Sequence, residues 1–247
     1  MKKYELTNIT KEVAGKTLYR IKALVSFGNV SAGDLGGYVE NESNLSYIGN
    51  AWIYNDACVY NGAKVFDNAQ IHNNAKIRGN AHIYQNAAVF GNATVFGEAN
   101  VFGNAQVYGY ACIYGNAQIH GNVHVCDDAH LRDNAQVYGD AQVYDNACVY
   151  DNAQVYGDAH VRDDASVRGN AMICDNNAYM TIRGLGSENR VTTVCKDNKL
   201  GISVKCGCFF GSLTEFCDKV VETHGDCKYA KEYLALVDLI KIHFDLK

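Results

Sequence analysis

The sequence contains no proline and only one tryptophan in 247 residues. Because each proline would remove a backbone hydrogen-bond donor, this absence is typical of a chain built almost wholly from laddered strands. No apolar run approaches the length of a membrane span, and no apolar signal segment follows Met1. The net charge of −5 also lacks the basic excess typical of nucleic-acid-binding proteins. We therefore expect a cytoplasmic protein that binds neither nucleic acid nor membrane.

Cysteine, in contrast, is abundant, with ten residues. Half of them occupy outward positions on different turns of a six-residue repeat: Cys58, Cys112, Cys126, Cys148 and Cys174. Their spacing in the sequence therefore indicates no disulfide pair. We interpret these as reduced thiols of a cytosolic protein. Four others surround His224 but lack the paired Cys-x-x-Cys spacing of strong zinc signals: Cys206, Cys208, Cys217 and Cys227. We expect no metal site and no cofactor.

The dominant feature is a six-residue repeat that runs from Ala51 to Ala171 without interruption. The repeated small residue is alanine at every position except Val123, and an aliphatic residue follows each one two places later, from Ile53 to Ile173. A short period that persists over half of the chain is typical of a solenoid, in which each turn is buried only against its neighbours. The repeat therefore predicts a mainly β solenoid.

One unit of the repeat reads Val-Tyr-Gly-Asp-Ala-Gln over residues 137–142. In a short strand the aliphatic residue points inward and its two neighbours point outward. The Gly-Asp pair turns the chain because both residue types tolerate positive φ. The alanine then packs inside the corner, where a larger side chain would not fit.

This unit resembles that of the hexapeptide-repeat, left-handed parallel β-helix proteins, in which an aliphatic residue precedes a small one by four places. In that family three hexads form one triangular turn. The resemblance covers all 21 repeats, which implies about seven turns, or eight with a fainter start at Val39 and Leu45. The segments 32–40 and 52–54 are also similar to the opening of bacterial and phage hexapeptide proteins described as acetyltransferases, a similarity that favours a phage or mobile-element origin.

We predict three parts of the chain, in order: an N-terminal hairpin and cap (1–36), the hexapeptide-repeat β-helix (37–183), and a small α+β domain with two helices (184–247). Alternation around Tyr4–Ile9 and Thr17–Val25 predicts the N-terminal hairpin, and Phe27–Gly37 is expected to be a loop that leads to the first turn. Because open strand edges invite polymerisation, this segment should cover the end of the solenoid.

The C-terminal part has its own signals. Val191–Cys195 and Gly201–Val204 predict a second hairpin, and Ser212–Glu215 is a capping box that opens a helix ending near Thr223. A second helix is predicted over Lys228–Phe244. Three more apolar residues widen its apolar stripe, so that burial on two sides is expected: Leu234, Leu239 and Ile242.

With eighteen residues per turn, outward residues eighteen apart stack at about 4.8 Å into three flat faces. The first face starts at Trp52, and the second carries Lys76, Arg78 and Arg132 and is the basic face. The third, which we call the aromatic face, carries a rank of rings beside a rank of glutamines: Phe66, Tyr84, Phe102, His120, Tyr138, Tyr156, Gln118, Gln136 and Gln154. The aromatic face bears no Asp, Glu, Lys or Arg from residue 82 to residue 156.

The aromatic face has two interpretations. Stacked rings stabilise the coil itself by roughly 0.2–1 kcal/mol per cross-strand pair. Alternatively, the face is a surface for self-association or for an unknown protein or small-molecule partner, since interface cores are depleted of charge and rich in tyrosine.

Catalysis has less support in the sequence. Hexapeptide acyltransferases resemble one another in a catalytic histidine near a subunit interface and a loop that leaves one coil, whereas no repeat is lengthened here. The period also sends His120, His124 and His130 to three different faces. We therefore favour a non-enzymatic scaffold or binding protein that forms a homo-oligomer, and we assign no catalytic residue.

Two alternatives stay open. One is a hexapeptide acyltransferase of the acetyl-CoA type with an unknown acceptor. The other is a protein that sequesters a small molecule at a subunit junction.

Overall fold

The computed structural model describes residues 2–246 and contains a parallel β-solenoid of about eight turns, followed by a small α+β part. Three sheets run along the solenoid, and within the repeats the neighbouring strands of each sheet come from residues eighteen apart in the sequence. The predicted mainly β solenoid with three faces is therefore confirmed. Its left hand stays a prediction from the family resemblance.

The chain begins with an antiparallel hairpin of β1 (Tyr4–Val13) and β2 (Lys16–Ala23), which confirms the predicted hairpin. β2 pairs with β3 (Leu35–Val39), and β3 pairs in parallel with the first repeat strand of the second face. The hairpin thus extends one sheet beyond the solenoid. The predicted loop Phe27–Gly37 ends earlier than expected because β3 already begins at Leu35.

Glycine explains how β3 comes so close to the first turn. A Cβ atom on Gly36 would lie 2.6 Å from the carbonyl oxygen of Ile53, and one on Gly37 would lie 2.6 Å from that of Ala57. Only residues without a side chain can occupy both positions, so the Gly-Gly pair marks a close approach of two strands.

The N-terminal segment covers the first turn of the solenoid. Trp52 is fully buried there, with the Phe27 ring edge-on at a centroid distance of 5.4 Å. The Lys3 ammonium donates to the carbonyl oxygen of Ala51 at 2.9 Å and lies 4.7 Å from the Phe27 ring centre. Burial lowers the pKa of Lys3 to about 8. This packing closes the end of the stack, as expected for a cap.

A short 3-10 helix (Glu42–Asn44) precedes the repeats, and two-residue strands then build the solenoid. In chain order these strands are β4 (Trp52–Ile53), β5 (Cys58–Val59), β6 (Lys64–Val65), β7 (Gln70–Ile71), β8 (Lys76–Ile77), β9 (His82–Ile83), β10 (Ala88–Val89), β11 (Thr94–Val95), β12 (Asn100–Val101), β13 (Gln106–Val107), β14 (Cys112–Ile113), β15 (Gln118–Ile119), β16 (His124–Val125), β17 (His130–Leu131), β18 (Gln136–Val137), β19 (Gln142–Val143), β20 (Cys148–Val149), β21 (Gln154–Val155), β22 (His160–Val161), β23 (Ser166–Val167) and β24 (Met172–Ile173).

Each strand adds one inward aliphatic residue and each corner one alanine to a continuous core. Val101 and Ala105, for example, are 0 % exposed. Inward residues stack on one another across turns, as Val101 does on Ile119. Outward residues donate backbone N–H groups to the next turn, as Tyr84 does to the Val101 oxygen at 3.1 Å. The predicted inward placement of the alanines and aliphatic residues is confirmed.

The corners turn through residues with positive φ, such as Asp127 at 56° and Gly139 at 77°. Side chains at the corners also join successive turns. The Asn104 amide donates to the Asn122 side-chain oxygen at 3.0 Å, and the Asp145 carboxylate accepts the Asp163 backbone N–H at 3.1 Å. Hydrogen bonds of the corner side chains therefore form a second ladder beside the hydrogen-bond ladder of the backbone.

The C-terminal part is an antiparallel sheet covered by two helices. Its elements are β25 (Tyr179–Leu185), β26 (Arg190–Asp197), β27 (Gly201–Cys206), β28 (Phe209–Ser212), α1 (Leu213–His224) and α2 (Lys228–His243). The pairing of β26 with β27 and the Ser212–Glu215 capping box are both as predicted. The boundary placed between 183 and 184 falls inside β25, since this strand already belongs to the C-terminal sheet.

Helix α2 corresponds to the predicted second helix, but only one of its sides is covered. Tyr233, Val237 and Ile240 pack with α1 and the sheet in one apolar cluster. The expected burial on two sides was wrong, because the second stripe faces away from the sheet: Leu234, Leu239 and Ile242 are 37, 50 and 74 % exposed. No helix within residues 2–246 combines the length and the apolar character needed to cross a membrane.

Candidate functional site: the aromatic face

The third sheet, from β6 to β24, positions the aromatic face. Every ring of this face follows an inward aliphatic residue, so that all rings leave the sheet on the same side. They stack nearly parallel, with centroid separations of 4.9 Å for Phe66–Tyr84 and 4.8 Å for Tyr84–Phe102. The stack continues through His120, Tyr138 and Tyr156 at separations between 4.8 and 5.3 Å. The structure therefore brings all six predicted rings together in one continuous ladder.

The stacking decides which part of each ring meets the solvent. All six rings are half-buried, because each one covers the faces of its neighbours. Ring edges and tyrosine hydroxyls are what the surface presents. Such a surface offers edge contacts and hydrogen bonds, whereas a ligand that stacks on an open ring face finds none in the middle of the ladder.

The predicted glutamines form a parallel rank beside the rings. Gln118, Gln136 and Gln154 lie at paired positions of neighbouring strands β15, β18 and β21. The Tyr138 hydroxyl donates to the side-chain oxygen of Gln154 at 3.2 Å, which links the two ranks. Gln118 is exposed, and the other two are half-buried. Rings and amides thus form one flat array.

The array is uncharged near neutral pH. Burial raises the pKa of Tyr84 and that of Tyr156, so both hydroxyls stay protonated. Burial lowers the pKa of His120, which favours its neutral imidazole. The chemistry of this face is therefore that of neutral donors, acceptors and ring edges.

The three histidines clustered in sequence are separated in space. His120 lies in the ring ladder between Phe102 and Tyr138. His124 belongs to β16 of the first sheet, and His130 to β17 of the second. Within one chain they do not converge, as expected from the period.

On the second face, arginine side chains stack on aromatic rings, an arrangement that the sequence analysis did not predict. The arginines lie over aromatic rings of the next turn: Arg78 is 4.0 Å from the Phe96 ring centre, and Arg132 is 4.1 Å from that of Tyr150. The signal was present, since arginine and aromatic residues recur at a spacing of eighteen. The basic charge of the face does not by itself indicate this arrangement, because each guanidinium is both a charged group and a stacking group.

All ten cysteines are free thiols. In the part of the chain that the structure describes, residues 2–246, no group of three or more His, Cys, Asp or Glu side chains is placed to hold a metal ion. Burial raises the pKa of the repeat cysteines Cys112 and Cys148, which keeps these thiols protonated.

The fold places the chain among parallel β-solenoid proteins. No family model matches the chain, and no curated protein matches it. The functional inference therefore rests on the geometry and chemistry of its surfaces.

Proposed function

We propose that this protein is a non-enzymatic scaffold that pairs with a second copy of itself through the aromatic face. The observation that supports the proposal is the unbroken, uncharged ladder of six rings beside a rank of glutamines. A contact between identical faces is self-complementary, which is the arrangement of a two-fold symmetric dimer.

The spacing of the ladder favours a second copy of the chain as the partner of this face. Rings repeat every 4.8 to 5.3 Å along the face, and a second copy presents the same repeat. Ring edges of one copy can therefore contact amides of the other at every turn. Paired β surfaces in steric zippers interdigitate in the same way, with stacked aromatics and amide ladders on both sides.

The electrostatics point in the same direction. A neutral strip loses little solvation energy when it is covered, whereas buried unpaired charges cost several kcal/mol each. The corner aspartates, such as Asp140 and Asp158, lie outside the strip and are exposed. They can keep their water when two copies meet.

The test is a double substitution, Tyr138→Glu with Tyr156→Glu. Both side chains point away from the core, so the backbone ladder should persist, while two charges would be desolvated in the contact. We expect light scattering to show a shift from dimer to monomer and circular dichroism to show unchanged β structure.

The matched control is Tyr108→Glu with Tyr144→Glu, which places the same charges on the first face. This variant should keep the mass of the wild type. An unaltered oligomer in the first variant, or a monomeric wild type at concentrations of tens of micromolar, would show that the aromatic ladder serves only the coil.

A further inference from the structure

The C-terminal part contains a cavity that the proposed scaffold does not use. It has a volume of about 390 Å³ and lies between α1, α2, the β25–β26 turn and the β27–β28 turn. This volume is within the usual range for small-molecule sites, roughly 300–1,000 Å³. All residues that line the cavity belong to one chain, and none of them is part of the aromatic face.

The floor of the cavity is apolar and is formed by buried side chains that contact one another. Phe216 and Val220 of α1 and Tyr233 of α2 line it, and each is less than a tenth exposed. Phe209 and Phe216 meet at a centroid distance of 5.4 Å, and Phe216 lies edge-on to Tyr233 at 5.7 Å. Such a floor suits an aromatic ring or a short acyl chain.

Tyr233 also brings a polar group close to this floor. The Tyr233 hydroxyl lies 3.4 Å from the carbonyl oxygen of Leu185 and 3.8 Å from the Cys206 sulfur, so its present contacts are long. Burial raises the pKa of Tyr233 to about 12, so the hydroxyl stays protonated and can donate to a bound acceptor.

Charged and polar side chains line the mouth of the cavity. Arg190, Lys219 and His224 line it, against the single acid Glu188. Lys219 is paired with Glu222 at 2.8 Å. Among residues 2–246, in contrast, no carboxylate lies within 4.0 Å of the Arg190 guanidinium. An arginine without an acidic partner, above an apolar floor, is complementary to an acid group on an apolar body.

We propose that this cavity binds a small hydrophobic monoanion, with its ring or acyl body on Phe216 and Val220 and its acid group on Arg190. The size of the cavity, its apolar floor and the charge at its mouth together select this class of ligand. The site gives the protein a binding role that is independent of pairing through the aromatic face.

Two fluorescent probes of nearly equal shape test the charge requirement. Anilinonaphthalene sulfonate carries an acid group, and N-phenylnaphthylamine has the same body without it. We expect saturable binding of the sulfonate to the full-length wild-type protein at one site per chain, about tenfold tighter than that of the neutral probe. Arg190→Gln should remove this difference and leave the affinity for the neutral probe unchanged.

Two further variants test the position of the site. Val220→Trp fills the floor, and Thr223→Trp, at an exposed position of the lining, blocks the mouth without touching the core. Each should abolish binding of both probes while circular dichroism stays that of the wild type. Arg162→Gln removes another exposed arginine, one that does not line the cavity, and should change nothing.

Several results would overturn the proposal. One is sulfonate binding that persists in Thr223→Trp, and another is an equal loss of both probes in Arg190→Gln. Binding without a defined stoichiometry would also overturn it. Because oligomer mass is measured separately, these outcomes leave the pairing through the aromatic face untouched.

Discussion

The guanidinium of Arg168 lies 4.4 Å from the centre of the Phe210 ring. Arg168 follows the last strand of the second face, whereas Phe210 belongs to β28 of the C-terminal sheet. On its other side the guanidinium is 5.0 Å from the Tyr150 ring, and its Nε donates to Asp151 at 3.1 Å. One side chain therefore continues the stack of the second face into the C-terminal part.

We expect this contact to couple the two parts energetically. Arg168→Ala and Phe210→Ala should each lower the free energy of unfolding, and the double variant should lose less than the sum by about 0.5–2 kcal/mol. Urea unfolding of the four proteins measures this coupling. Arg162→Ala combined with Phe210→Ala is the control and should be additive. Additivity in the Arg168 pair as well would mean that the stack does not join the two parts.

A second prediction concerns the corners. Ala105→Leu and Ala141→Leu should each destabilise the solenoid by about 1–3 kcal/mol or more, because a fully buried corner has no room for three more carbons. Thermal unfolding followed by circular dichroism is the measurement. Ala88→Leu makes the same change at an outward, half-buried position and should have little effect. Wild-type stability in both corner variants would contradict the packing described here.

A third prediction follows from the half-buried ring of His120. Burial lowers the pKa of His120, so the folded state binds a proton less readily than the unfolded chain. The free energy of unfolding is then at its full value above the unfolded pKa of about 6.5 and falls as the pH drops below it. His120→Phe keeps the ring stack but cannot titrate, and it should reduce the fall between about pH 7 and pH 5. Denaturant unfolding at several pH values provides the comparison. An identical pH dependence in both proteins would contradict it.

The fourth prediction concerns catalysis. Alanine at His120, His124 and His130, singly or together, should preserve the fold, with only the loss of ring stacking at His120, roughly 0.2–1 kcal/mol per pair. An assay with acetyl-CoA and a panel of acceptors should detect no acyl transfer by the wild type. Transfer that one of these substitutions abolishes would favour the acyltransferase alternative instead.

Most of the solenoid could be predicted because its contacts recur at fixed spacings along the sequence. The period of six fixes which residues point inward, and the period of eighteen fixes which outward residues stack. The ladder from Phe66 to Tyr156 and the separation of the three histidines follow from counting alone. The corner turns follow as well, since their residue types tolerate positive φ.

The remaining features depend on contacts between elements that have no common period. The start of β3 at Leu35 depends on how the Gly36–Gly37 pair fits against the first turn. The exposure of Leu239 and Ile242 depends on which side of α2 the sheet covers. The cavity combines residues from two helices and two turns, so that no stretch of sequence contains its outline.

The fixed register of the solenoid limits how the length of this protein can change. An insertion of one hexad would move every later strand to the next face, so that the column of rings would be continued by residues of another face. An insertion of three hexads leaves every column intact and lengthens the stack by one turn, about 4.8 Å. Homologues of this protein should therefore differ by multiples of eighteen residues within the repeats, and the C-terminal part would move away from the N-terminal cap in equal steps.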